Sequence, residues 1–126
     1  MKAFLPPVLL LAALLGVSSL NCRTMENHTA RWRSQLQQVQ EYAEIQDWPA
    51  ARAALAGSYA DWCGRQTYLH IVAEHDAVDS VEAMYRRAEA FAAEEEPSEF
   101  RAELADLRDH LRLLAEMEQF SVKNFL

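Results

Sequence analysis

The sequence predicts an all-α fold, an antiparallel four-helix up-down bundle preceded by an N-terminal membrane anchor or signal helix. Three observations carry that expectation. Glycine and proline are scarce, three and four in 126 residues with two of the prolines in the leader, so few positions can break a helix. Past residue 22, apolar residues recur at steps of three and four over successive stretches instead of alternating. Short polar connections separate these stretches, which makes consecutive helices antiparallel neighbours. About a hundred residues remain outside the leader, enough for one core, and the division is residues 1–22 for the leader and 23–126 for the bundle domain.

Residues 3–20 carry no charge and follow Lys2. As a helix they would extend about 27 Å, just enough to cross a bilayer. Read as a cleaved secretory signal instead, the same run has residues 8–15 as its apolar core and Val17-Ser18-Ser19 as small residues at the cleavage site. In both readings the bundle lies outside the cytoplasm, with Lys2 on the cytoplasmic side, and the localisation is the cell membrane, single-pass, or alternatively secreted. Asn21 stands where lipid attachment at Cys22 would want a small residue. Asn27-His28-Thr29 is a formal glycosylation sequon, meaningful only in a eukaryotic secretory route.

Met25, Thr29, Trp32, Leu36, Val39 and Ala43 define one face of the first bundle helix, which should stop near Gln46. Asp47 can cap the second helix, with Trp48 and Pro49 in its first turn, where a missing amide hydrogen costs nothing. Trp48, Leu55, Trp62 and Leu69 then fall one heptad apart with Tyr59 beside them, an aromatic seam weakened locally by Gly57 and Gly64. The stretch around Asp47 is similar to the second helix of a tetratricopeptide unit, but no repeat supports it. A second series, Ile71, Val78, Tyr85 and Ala92 with Val81 and Ala88 between, is out of phase with the first by two residues. The simplest repair is a break between about residues 69 and 76, with Asp76 capping the third helix and Asp79 in its first turn. Glu94-Glu95-Glu96-Pro97 ends that helix, and Ser98 can cap the fourth, whose stripe is Phe100, Leu104, Leu107, Leu111 and Leu114. The fourth helix should fade after Met117 into one more turn or an extended tail.

The net charge of −7 argues against a phosphate-backbone partner, so nucleic acid is excluded as a target. Two cysteines cannot form a disulfide framework. Counting from the hairpin tips puts Cys63 level with about Arg31, on the order of 13 Å along the axis from Cys22, so no internal disulfide is expected.

Two acids occupy positions where apolar residues are expected: Glu74 on the seam of the second series and Glu118 on the last stripe. If the chain turns back at the joint, Glu74, His75 and Asp79 face Glu116 and Glu118, and a histidine with several carboxylates on facing helices is how bundle metal sites are built. The repeated Glu-x-x-His signature of such sites is absent, and His75 with Asp79 four residues on is a common helix-face pair. The plainer reading is a solvated bundle end, with Glu74 and Glu118 paired to His75, Arg112 or Lys123. His28 and His110 read as solvated helix residues, Cys63 beside Trp62 as a packed thiol, and the tryptophans as core. No serine, cysteine or histidine arrangement pairs a nucleophile with a base, and no cofactor is expected.

With these features the chain resembles a bacterial family of small membrane-anchored proteins catalogued as domain of unknown function 4363. The resemblance rests on the N-terminal apolar helix, Trp62, Glu74-His75-Asp76 with Asp79 leading into a helix, and Glu116, Glu118, Ser121, Asn124 and Leu126 at the end. It implies an extracytoplasmic helical module without an assigned activity, and a small integral membrane protein as partner. An interaction module, or the accessory subunit of a membrane protein, fits this acidic domain better than an enzyme. The rival expectation is a metal-binding or hydrolytic protein using Glu74, His75, Asp79 and Glu118, and a homo-oligomer is the alternative to a distinct partner.

Overall fold

The computed structural model describes residues 5–125, with side chains over that range apart from Val72 and residues 120–125. The leader positions 1–4 and Leu126 lie outside it, as does the expected pairing through the Lys123 side chain. All regular structure among the described residues is helical: α1 (Leu5–Glu44), α2 (Trp48–Cys63), α3 (Gln66–Val72), α4 (His75–Ala93) and α5 (Pro97–Phe125). α1 packs on α2 and α5, and α4 packs on α5 and α2, so the four long helices surround one core while the short α3 lies mainly against α4.

The first difference from the sequence expectation is that the leader and the first bundle helix are one element. No glycine or proline interrupts residues 17–48, so nothing stops the helix where the apolar run ends. Its first half leaves Leu5, Leu9, Leu10, Leu14 and Leu20 exposed, and its second half buries Met25, Thr29, Trp32, Leu36 and Val39. An 18-residue window of the exposed half has a mean hydropathy of 1.8 and contributes nothing to the core, so this helix is long and apolar enough to cross a membrane.

Both long hairpins turn in the same way. Gln46 and Glu95 have φ of 62° and 54°. After α1 the amide of Gln46 donates to the Ala43 carbonyl (3.0 Å) and that of Asp47 to the Tyr42 carbonyl (2.9 Å). After α4 the amide of Glu95 donates to Ala92 (3.2 Å) and that of Glu96 to Phe91 (3.1 Å). This is the left-handed helix ending that satisfies orphan carbonyls, built here without glycine. The residue that closes each turn directly precedes the next helix. Asp47 caps α2 as expected, its side chain accepting from the Ala50 amide at 3.2 Å, with Pro49 in the first turn. At α5 the expected cap is corrected: the helix already begins at Pro97, so Glu96 precedes it and Ser98 lies inside the first turn, because proline suits that first position. α5 is also longer than expected, remaining helical to Phe125.

The predicted break is present, but it is double. α2 ends at Cys63, with Gly64 and Arg65 leading into α3, and Ala73 adopts an extended conformation (φ −112°, ψ 161°) before α4. Glu74, not Asp76, precedes α4, and its side chain makes no capping bond; Asp76 lies in the first turn and Asp79 beyond it. With the joint placed there, Ile71 does not join the seam. It is 77% exposed, because the short α3 turns Leu69 inward instead. The other seam residues, Trp48, Leu55, Trp62, Leu69, Val78, Val81, Tyr85, Ala88 and Ala92, are buried with Phe100, Leu104, Leu107, Leu111 and Leu114.

Candidate functional site

The joint between α3 and α4 carries most of the residues singled out in the sequence. His75 opens α4 and its Nε2 lies 3.9 Å from Asp79 Oδ2, both side chains being mostly in solvent. The His70 ring, from the end of α3, stands against the His75 ring with centroids 5.1 Å apart. Glu74 is exposed. Glu118 is half-buried on α5, and burial raises its carboxyl above the ordinary glutamate range. Its charge reaches the Tyr68 phenol on α3, which is pushed up by burial first and by Glu118 second. The expected convergence therefore does not form. Extended backbone at Ala73 and Glu74 starts α4 with Glu74, His75 and Asp79 toward solvent, while the half-buried Glu118 acts through its charge on Tyr68. Among the described residues, no three His, Cys, Asp or Glu side chains gather in a group able to hold a metal. Arg112, a suggested partner of Glu118, instead bonds Asp109 (2.6 Å) and Glu116 (2.7 Å) on its own helix. Cys22 and Cys63 are both free thiols.

A more organised polar cluster lies one level deeper, between α1 and α2. Asp61 receives Arg31 Nε on Oδ2 at 2.7 Å and a second Arg31 nitrogen on Oδ1 at 3.0 Å, while Gln35 Nε2 donates to Oδ2 at 3.2 Å. The two-pronged arginine contact is the geometry a planar guanidinium makes best with a carboxylate. It holds the Asp61 carboxyl below the usual aspartate range against the opposing effect of burial. Arg31 also lies over the Trp32 ring, 5.7 Å from its centroid. His28 stacks on Trp32 itself, with ring centroids 5.6 Å apart and an interplanar angle of 17°, and meets the Tyr68 ring edge-on at 6.0 Å. His28 Nδ1 is buried without a protein partner. Burial first, and the charges of Arg31 and Arg65 next, lower the His28 pKa, with Asp61 opposing. The Tyr68 hydroxyl donates to the Asn21 carbonyl at 3.3 Å, tying α3 to α1.

His28 is thus not the solvated residue its place in the sequence suggests. The sequence signal for the cluster was adjacency: Arg31 and Asp61 each precede a tryptophan of the core, and level counting puts them near one another. Chemically the cluster is a clasp. Three N–H donors on the two Asp61 oxygens hold the carboxylate ionised and in place, and its lowered pKa makes it a weak base. A buried hydroxyl pair, Ser58 Oγ and Tyr85 Oη at 2.9 Å, ties α2 to α4, and burial raises the Tyr85 phenol far above its ordinary value. At the opposite tip, a depression of about 400 Å³ is lined by Gln46, Trp48, Glu95 and Arg101 among others, without a cluster of reactive groups.

No curated protein and no solved structure gives a significant match to the chain. The family described as "Domain of unknown function (DUF4363)" matches residues 20–125, from the end of the apolar run through the last helix. That span takes in all the packed helices, the clasp and the joint, and the chain belongs to the DUF4363 family.

Proposed function

We propose that this protein is a membrane-anchored extracytoplasmic module, an antiparallel up-down bundle that serves as a protein-protein interaction unit or accessory subunit for a small integral membrane protein. The observation that carries this reading is the division of α1: one unbroken helix whose first half is apolar and uncovered and whose second half is built into the core. Exposed leucines at this density are costly in water and favourable in lipid. The packed half offers a part-buried ion-pair clasp and a buried hydroxyl pair and, among the described residues, no metal-holding group. This supports recognition over catalysis.

Washing membranes with alkaline carbonate tests the anchor: the chain is expected to stay in the pellet, and its recovery in the supernatant would refute anchoring. Cross-linking in native membranes, with identification of what is captured, tests the partner. A small integral membrane protein is the expected product. Capture of copies of this chain alone would replace the accessory role with a homo-oligomer.

A further inference from the structure

α3 is an anomaly in a bundle whose other helices bury a continuous stripe. It is seven residues long, set off by a break on each side, and it buries Leu69 while leaving Ile71 more exposed than any leucine of the leader. Its position is fixed by Tyr68, whose hydroxyl meets the Asn21 carbonyl at the point where the uncharged stretch of α1 ends. α2 and α3 run toward the leader, since Asp61 pairs with Arg31 and Tyr68 seven residues later reaches Asn21. Ile71, three residues further along α3, lies on the same short helix as this contact, at the leader side of the Arg31–Asp61 pair.

The charge distribution follows the same geometry. Residues 1–25, 62–73 and 119–126 contain Lys2, Arg23, Arg65 and Lys123 and no aspartate or glutamate, so all 19 acids of the chain lie outside these three segments. The segments meet at one end: Tyr68 contacts Asn21, and the Glu118 charge, one residue before the third segment, acts on Tyr68. The acids that border these segments are Glu26, Asp61, Glu74 and Glu118: Asp61 is held by Arg31, Glu118 is half-buried, and Glu26 and Glu74 are exposed, as is Asp76 at the start of α4. α3 itself, residues 66–72, carries no acid and is preceded by the exposed Arg65. Arg65, Tyr68 and Ile71, cationic, aromatic and apolar, on and just before one short helix suit the headgroup region of a bilayer.

We propose that α3 is a second membrane contact, meeting the lipid surface beside the leader by its C-terminal end, with Ile71 inserted below the headgroups and Arg65 facing anionic ones. This rests on the anchored reading above and adds to it a fixed orientation, with the α3 end of the bundle seated on the bilayer and the 44–48 hairpin held away from it. Ile45, 72% exposed at that hairpin, is the internal control.

The test uses the full chain reconstituted in vesicles of mixed zwitterionic and anionic phospholipid, with Ile71→Trp and Ile45→Trp variants compared in plain lipid and in lipid brominated near the carbonyl end of its chains. Both positions are exposed, so the variants should keep the helical circular dichroism of the parent. The expected result is a loss of the added emission in brominated vesicles for Ile71→Trp and no loss for Ile45→Trp, with Arg65→Glu in the Ile71→Trp background reducing the loss. Equal emission in both lipids for Ile71→Trp, in chains that resist an alkaline wash, would overturn α3 docking and leave the anchor standing. Chains removed by that wash would overturn both.

Discussion

Gln46 and Glu95 each hold a left-handed backbone at a hairpin tip, a conformation that costs a side-chain-bearing residue about 1 kcal/mol or somewhat more and glycine nothing. Gln46→Gly and Glu95→Gly should each stabilise the protein by about 1 kcal/mol, read as a rise in the unfolding midpoint in urea. A second prediction concerns pH. His28 has its pKa lowered from 6.5 by burial and by Arg31 and Arg65, so the folded state binds its proton less well than the unfolded chain. Stability from this group is fully present above pH 6.5 and is lost as pH falls through the lowered folded value; Asp61, lowered from 3.8, adds a loss of the same sign in stronger acid. Glu118 acts oppositely, since its raised pKa means that stability present below 4.5 is lost as pH rises through the folded value. Unfolding of His28→Leu measured between neutral pH and about pH 5 should lack the first loss that the parent shows. Removing the clasp by Asp61→Ala should cost about 1 kcal/mol, a modest figure because Arg31 and Asp61 are partly in solvent.

Among the helices, α2 is the one the sequence weakens most, with Gly57 on an exposed face and Gly64 at its end. Nothing lies within 4 Å of a Cβ built at Gly57, so Gly57→Ala should stabilise the protein by about 1 kcal/mol in the same unfolding assay. In the last helix Leu107 is fully buried, and Leu107→Ala should cost about 2–5 kcal/mol. The stripes of the four long helices were legible because steps of three and four leave no other consistent face, and residues 25 to 39 and 100 to 114 follow them. What the sequence concealed were features decided by single backbone angles or by neighbours distant along the chain. The short α3, which turns Leu69 inward, removed Ile71 from its expected seam, and the extended conformation of Ala73 removed Glu74 and with it the convergence of Glu74, His75 and Asp79 with Glu118. The clasp escaped a reading by stripes because Arg31, Gln35 and Asp61 lie at the edges of their helical faces, where polar residues ordinarily belong to solvent.

For the molecule as a whole, the exposed half of α1 contributes no residue to the core, so a chain lacking residues 1–22 should retain its bundle and leave the membrane fraction. Sedimentation and far-ultraviolet circular dichroism together check this; loss of helical signal beyond that of the missing residues would show that the leader supports the fold. The junction at Asn21 is the other consequential feature, because the helix passes through it without glycine or proline. From there to Glu44 the arm is about 36 Å long, and a lean of about 10° in the lipid-embedded portion would swing the far tip by about 6 Å. The fold has no swivel between the apolar, uncovered portion of α1 and the portion built into the core, so motion of the one becomes motion of the other.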